Sequence, residues 1–125
     1  MTLRAFPVLY AEDVESMAAF YVRLGFVEQV RLAGHDGEIG YIGLARDGAE
    51  LAVTTTEAPR VLAGIVPAPG PRHELFVYVE SLDSAVNQLR AHATIVREPA
   101  EMPWGERVAY LTDTEGNIVT LAQAS

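Results

Sequence analysis

Apolar and polar residues follow the same pattern in two blocks of the chain. In residues 6–18 an apolar run is followed by Glu12 and then by apolar residues at helical spacing. Residues 74–86 show the same order, 68 positions later. Each block closes with a turn and an apolar strand, at 47–53 and 115–122. A repeat of about 60 residues is too long for a solenoid unit and too short to bury a sizeable core alone. The two blocks are therefore expected to share one sheet system, with a ligand in the concave surface between them.

The first block predicts a strand, a helix and three more strands. An apolar strand at 6–11 precedes Asp13, a suitable N-cap, and the helix that follows ends at Gly25. Its apolar residues recur at helical spacing: Met17, Phe20, Tyr21 and Leu24. Further strands are predicted at 26–32, 38–45 and 50–55. His35 lies in the Gly-rich turn between the first two of these strands and is expected to be exposed.

The second block repeats this order after a linker. Its strands are predicted at 75–79, 94–97, 106–111 and 118–122, with a helix at 82–91. Residues 58–72 contain Pro59, Pro67, Pro69 and Pro71 and predict a linker with a short turn of helix near 61–63. We thus expect one domain over 1–125, with module one at 1–57, the linker at 58–72 and module two at 73–125. Eight strands and two main helices, with the helices outside a cupped sheet, define an α+β fold.

Composition narrows the classes of function. Half of the residues are apolar, which is enough for a core, and cysteine is absent, so disulfides, thiolate metal sites and a Cys nucleophile are excluded. No signal peptide or membrane-spanning run is readable, which predicts a cytoplasmic protein without a membrane partner. The net charge is −8, and all nine basic residues are scattered arginines. This balance argues against nucleic acid as a partner.

Several motifs, in this order on a repeated unit, resemble the vicinal oxygen chelate superfamily. This superfamily contains glyoxalase I, bleomycin-resistance proteins and extradiol dioxygenases. The motifs are Pro7-Val8-Leu9 with Asp13-Val14, Phe20-Tyr21, Arg23-Leu24-Gly25-Phe26 and Asp113-Thr114-Glu115-Gly116-Asn117. Together with Pro103-Trp104-Gly105, they look most like the bleomycin-resistance branch. The resemblance implies tandem βαβββ modules that form an open, cupped eight-stranded barrel, and a homodimer that completes the cleft.

The resemblance also implies four positions at which catalytic members hold a divalent metal ion. In this chain they are Phe6 with its counterpart Glu74, and Glu50 with its counterpart Thr120. Phenylalanine cannot coordinate a metal ion and a neutral threonine hydroxyl is a poor ligand, so we expect no metal cofactor. An error of one residue in the assumed strand register would replace Glu74 by His73 at the family position. Glu50, Glu74 and His73 are therefore the fallback ligands for one divalent ion.

The same positions supply candidate contacts to a small-molecule ligand. Glu50 and Glu74 are expected to contact its polar or cationic groups, to pair with Arg72 or Arg107, or to face solvent at the sheet edge. Trp104 lies in a loop that borders the binding groove in the bleomycin-resistance proteins, and it either stacks on the ligand or plugs the loop. Aromatic residues that alternate on the predicted strands are candidates for the floor of the cleft: Phe6, Tyr10, Tyr41, Phe76, Tyr78 and Tyr110.

Three functions follow as hypotheses. The first is a metal-free small-molecule binding protein of bleomycin-resistance type, which sequesters an antibiotic or related metabolite in an aromatic cleft. Its expected ligand-binding residues are Phe6, Glu50, Glu74, Phe76, Trp104, Tyr110 and Thr120. The second is a metal-dependent glyoxalase-like lyase or isomerase, or a dioxygenase. The third is a structural or regulatory dimer whose cleft has lost its function.

Overall fold

A computed structural model describes residues 3–34 and 36–125 of the chain. His35, which the sequence predicts in an exposed turn, lies outside the described residues. The chain divides into two compact units, the first ending at Ala68 and the second beginning at Pro69. Each unit contains one four-stranded sheet, so the eight predicted strands and the α+β class are confirmed.

The first unit is a βαβββ module followed by a short helix. Its elements are β1 (Val8–Ala11), α1 (Val14–Arg23), β2 (Val27–Ala33), β3 (Ile39–Arg46), β4 (Ala49–Thr55) and α2 (Glu57–Ala63). The strand order is β1-β4-β3-β2, with β1 parallel to β4 and the other pairs antiparallel.

Helix α1 covers one face of this sheet. The Asp13 carboxylate caps the helix by accepting a hydrogen bond from the Ser16 N–H at 3.1 Å. The apolar side of α1 is buried through Val14, Met17, Ala18, Phe20 and Tyr21. Gly25, at φ +96°, takes the left-handed conformation that ends the helix and turns the chain into β2. The predicted N-cap and helix end are thus confirmed.

The second unit repeats the module. Its elements are β5 (Glu74–Val79), α3 (Leu82–Leu89), β6 (Thr94–Glu101), β7 (Arg107–Thr112) and β8 (Ile118–Gln123). The strand order is β5-β8-β7-β6, with β5 parallel to β8. The 68-residue offset reappears in the pairing, since Val8 lies opposite Ala52 and Phe76 opposite Thr120.

Proline accounts for three of the differences in extent from the sequence-based prediction. Strand β1 begins at Val8 rather than at residue 6, because Pro7 has no N–H for the ladder. Helix α2 spans two turns rather than one, since Pro59 lies in its first turn, where proline is tolerated. Strand β6 runs to Glu101 rather than to residue 97, because an edge strand accommodates Pro99. Across residues 3–34 and 36–125, no helix has the length and apolar character needed to cross a membrane.

Candidate functional site

The sheet of the second unit has one face covered by α3 and one face rich in aromatic side chains. Residues paired across neighbouring strands point to the same side. Phe76 on β5, Thr120 on β8 and Tyr110 on β7 form one such row, and Tyr78, Ala122 and Val108 form the next. Arg107 points the other way, because its guanidinium reaches Asp83 at the start of α3. We call the side that carries Phe76, Tyr78 and Tyr110 the aromatic face.

Trp104 joins the aromatic face through a shared carboxylate. Its indole N–H donates to Glu106 Oε1 at 2.8 Å, and the Tyr78 hydroxyl donates to Glu106 Oε2 at 2.7 Å. The Phe76 and Tyr78 rings follow, with centroids 5.4 Å apart. All three rings are open to solvent, with exposed fractions of 54% for Trp104, 48% for Tyr78 and 42% for Phe76. The arrangement presents a row of exposed aromatic rings beside a carboxylate.

The tight turn between β6 and β7 holds Trp104 in this place. The Met102 N–H donates to the Glu106 carbonyl at 2.8 Å, and the Gly105 N–H donates to the Met102 carbonyl at 2.9 Å. Gly105 has φ +97°, a conformation that a residue with a side chain adopts only under strain. Met102 is buried against Val108 and anchors the turn to the sheet. The indole is therefore carried by a turn that is fixed at both ends.

The carboxylate of Glu106 also sets the protonation of Tyr78. Because Glu106 accepts the hydroxyl hydrogen, it stabilises the protonated phenol and raises the pKa of Tyr78 above its ordinary value. Tyr78 therefore stays neutral at physiological pH and keeps donating. Both of these donors to Glu106 are uncharged groups.

Glu74 and Thr120 meet on the same side of the sheet. The Thr120 hydroxyl donates to Glu74 Oε2 at 2.6 Å, and Thr120 is fully buried whereas Glu74 is exposed. Thr120 thus orients the carboxylate. Of the expected ligand-binding residues, the second unit holds Glu74, Phe76, Trp104, Tyr110 and Thr120.

The other two expected residues, Phe6 and Glu50, lie in the first unit next to Arg4. The Arg4 guanidinium donates to both carboxylate oxygens of Glu50, at 3.0 Å and 2.5 Å, and stacks 5.1 Å from the centre of the Phe6 ring. This hydrogen bonding lowers the pKa of Glu50 below its ordinary value. Glu50 is thus a paired carboxylate with a depressed pKa.

The identity of that partner corrects the sequence-based expectation. An ion pair with Arg72 or Arg107 was one of the alternatives for Glu50 and Glu74. In the structure Arg72 pairs with Glu115 at 3.5 Å, and Arg107 pairs with Asp83 at 3.3 Å. Arg4 comes from the segment before β1, where the sequence pattern shows no element.

The strand register corrects a second expectation, the equivalence of Glu50 and Thr120. Ala52 and Thr120 occupy matching places opposite Val8 and Phe76, so the counterpart of Glu50, two residues earlier, is Ile118. The 68-residue offset of the repeat gives the same result, since it relates Gly48 to Gly116 and Glu50 to Ile118.

The residues at the implied metal positions do not fit a divalent ion. Phe6 offers no donor atom, both oxygens of Glu50 accept from Arg4, and the Thr120 hydroxyl is committed to Glu74. Over residues 3–34 and 36–125, no three His, Asp or Glu side chains lie close enough to hold an ion together.

His73, the fallback ligand, points away from the aromatic face. It precedes Glu74 in extended backbone, and its charged surroundings are Asp113 and Arg72. Its Nε2 atom is buried without a hydrogen-bond partner among the described residues. Burial lowers the pKa of His73 below its ordinary value, and Asp113 offsets this only in part.

Glu106 is the residue of the site that the sequence pattern did not reveal. Its one signal is local: it lies two residues after Trp104 and immediately before an apolar strand. Tyr78, by contrast, was among the aromatic residues predicted from their alternation on strands.

The sequence of this chain matches a known protein family. The family model for the Glyoxalase/Bleomycin resistance protein/Dioxygenase superfamily matches residues 5–121. No curated protein matches the chain.

Solved structures share the fold over nearly the whole chain. A glyoxalase/bleomycin resistance protein/dioxygenase family enzyme from Burkholderia phytofirmans PsJN is 23% identical, with a TM-score of 0.79 and coverage of 96% of this chain and 97% of that one. A bleomycin-binding protein complexed with bleomycin is 24% identical, with a TM-score of 0.66 and coverage of 99% and 100%. A bleomycin resistance determinant encoded on the transposon Tn5 is 25% identical, with a TM-score of 0.66 and coverage of 99% of each chain. By the extent of the family match, this chain belongs to the Glyoxalase/Bleomycin resistance protein/Dioxygenase superfamily.

Proposed function

We propose that this chain is a small-molecule binding protein that sequesters an antibiotic or related metabolite on its aromatic face, without a metal ion. The observation that carries the proposal is the tethering of Trp104 and Tyr78 to Glu106, which leaves both rings about half exposed. Exposed aromatic surface held in one geometry is suited to stacking on a flat ligand, since little side-chain freedom remains to be lost on binding.

Sequestration requires no covalent step. The ligand stacks on the Trp104 indole and extends towards Phe76, and Glu74 offers a carboxylate to its polar or cationic groups. Glu74 suits this role because one of its oxygens is oriented by Thr120 and the side chain remains exposed. The bound molecule is withheld from its target and released unchanged.

The experiment is a titration with bleomycin, which the bleomycin-binding relative holds in its solved structure. Trp104 is the sole tryptophan of the chain, so its fluorescence reports on the aromatic face alone. We expect a saturable change in fluorescence and a matching heat by calorimetry, with bleomycin recovered unaltered by mass spectrometry. The absence of heat and of any fluorescence change would contradict this choice of ligand. A chemically altered product, or a stoichiometric metal ion in the purified protein, would favour the metal-dependent enzyme instead.

We further propose that the chain acts as a two-fold homodimer. Support comes from apolar side chains that remain exposed on and after α2: Val61, Leu62, Ile65 and Val66. Beside them lies an apolar groove of about 270 Å³, lined in part by Leu32, Tyr41 and Thr54. Exposed apolar surface of this kind is typical of a protein interface.

A further inference from the structure

The carboxylate of Glu106 differs from other carboxylates of the molecule in its partners. Glu50 is paired with Arg4 and Glu98 with Arg90, and each pair is held by two hydrogen bonds. Glu106 instead accepts from an indole N–H and a phenol O–H, and no arginine among the described residues forms an ion pair with it. Its negative charge is therefore not neutralised by its partners.

From this we infer that the aromatic face selects organic cations, and that Glu106 both supplies the charge and positions the two rings. The inference rests on the proposed binding function and adds the chemical class of the ligand. A cation over an aromatic ring is attracted by the negative face of the ring, most strongly with tryptophan. Here exposed rings of Phe76, Tyr78 and Trp104 lie in one row with a carboxylate beside them.

The surroundings favour the same ligand class. The chain carries a net charge of −8, which raises the local concentration of cations near its surface. Hydrogen bonds from the Trp104 and Tyr78 rings to a carboxylate leave the ring faces available, because each bond lies at the edge of its ring. A flat ring with a fixed positive charge, such as an N-alkylated heteroaromatic ring, can therefore stack and be attracted at the same time.

A matched pair of probes isolates the charge. 1-Methylquinolinium and quinoline have the same fused ring, but at about pH 8 the first is a cation and the second is neutral. Binding is followed by the indole N–H resonance of Trp104, which is the one such signal of the chain. We expect 1-methylquinolinium to bind at least about tenfold more tightly, a difference of about 1.4 kcal/mol.

Variants separate charge from position. Glu106→Gln keeps the shape but removes the charge, and should bring the two affinities within about threefold of each other. Tyr78→Phe keeps the charge and removes one donor, so it should retain the preference for the cation while shifting the indole resonance. Glu98→Gln is the control, because it removes one charge on the face that carries α3.

The outcomes distinguish the two proposals. Equal binding of both probes at Trp104 would overturn the cation preference and leave the binding function standing. A cation preference that Glu106→Gln retains would overturn the role of Glu106. Failure of both probes and of bleomycin to move the indole resonance would overturn both proposals.

Discussion

Trp104 is held at the edge of its ring and open on its faces. Glu106 accepts the indole hydrogen, and 54% of the residue surface is exposed. A tryptophan that acts as a structural plug would be buried, with large losses of stability on truncation. The exposure favours a role in binding, because stacking on a ligand would cover surface that the folded chain leaves open.

We predict that Trp104→Ala weakens ligand binding by at least about tenfold and leaves the melting temperature nearly unchanged. Calorimetric titration and thermal unfolding measure the two quantities separately. Trp104→Phe keeps an aromatic ring but lacks the N–H donor. Its ligand affinity should therefore lie between that of Trp104→Ala and that of the unmodified protein. A large fall in melting temperature with unchanged affinity would identify Trp104 as a plug.

His73 makes stability depend on pH in a range where carboxylates do not titrate. Its folded-state pKa is lowered from 6.5 because the ring is partly buried. The unfolded chain therefore binds the proton more tightly than the folded one, and stability rises with pH across this range. The contribution of His73 is complete above about pH 6.5 and is lost as the pH falls towards the folded-state pKa.

We predict that the free energy of unfolding, measured by urea denaturation, falls as the pH is lowered below about 6.5. His73→Asn should flatten this slope because it removes the titrating group. His92→Asn is the matched control, since His92 is exposed, and it should leave the slope in place. A slope that persists in His73→Asn would assign the effect to another group.

Among the elements, the turn between β7 and β8 is held by buried polar groups. Asn117 is fully buried, and its side chain accepts from the Arg72 N–H at 2.9 Å and donates to Asp113 at 3.2 Å. Asp113 in turn accepts from the backbone N–H groups of Glu115 and Asn117. This turn joins the end of the sheet to the chain segment that leads into β5.

We predict that Asn117→Ala lowers the free energy of unfolding by about 2 kcal/mol, because it removes two hydrogen bonds of buried groups. Asn87→Ala, at an exposed position on α3 where the side chain accepts from Arg90, should cost less than about 0.5 kcal/mol. Denaturant unfolding compares the two variants directly. Equal costs would mean that the turn does not depend on its side-chain bonds.

Local pattern was sufficient to predict the strands and helices. Alternation on β5 placed Phe76 and Tyr78 on one side, and the 68-residue repeat predicted the same order of elements in both units, whereas the pairing of β8 with β5 and of β4 with β1 comes from the structure. The ends of the elements were harder to predict, because proline is tolerated in an edge strand and in the first turn of a helix but interrupts these elements elsewhere. The longer β6 shows this at Pro99.

The sequence supplied single candidate residues, on strands and in the loop of Trp104, but not the side-chain contacts between them. Arg4 and Glu50 are 46 residues apart, and Tyr78 and Glu106 are 28 apart. Which charged or polar side chains meet over such separations depends on tertiary structure, and hydrophobic periodicity carries no signal for it. The pairing of Glu50 and the role of Glu106 therefore required the structure.

At the scale of the whole molecule, the exposed apolar residues of α2 and the segment after it argue for association. Leu62 is 84% exposed and Val66 is 73% exposed. A helix with no buried residue gains little from folding against its own unit. Covering these side chains with a second copy would remove apolar area from water, with a favourable free energy of about 25 cal/mol per Å².

We therefore predict a two-fold homodimer with an interface of about 1,600 Å² or more that includes α2. Light scattering at micromolar concentration should give twice the mass of the chain. Leu62→Glu should shift the equilibrium towards monomer, because it places a charge in the apolar centre. Val22→Glu is the matched control, since Val22 lies on α1 beside Glu15 and Arg31 in an already charged groove, and it should remain dimeric. A monomeric unmodified chain would contradict the association itself, whereas a dimer that Leu62→Glu leaves intact would place the interface on another surface.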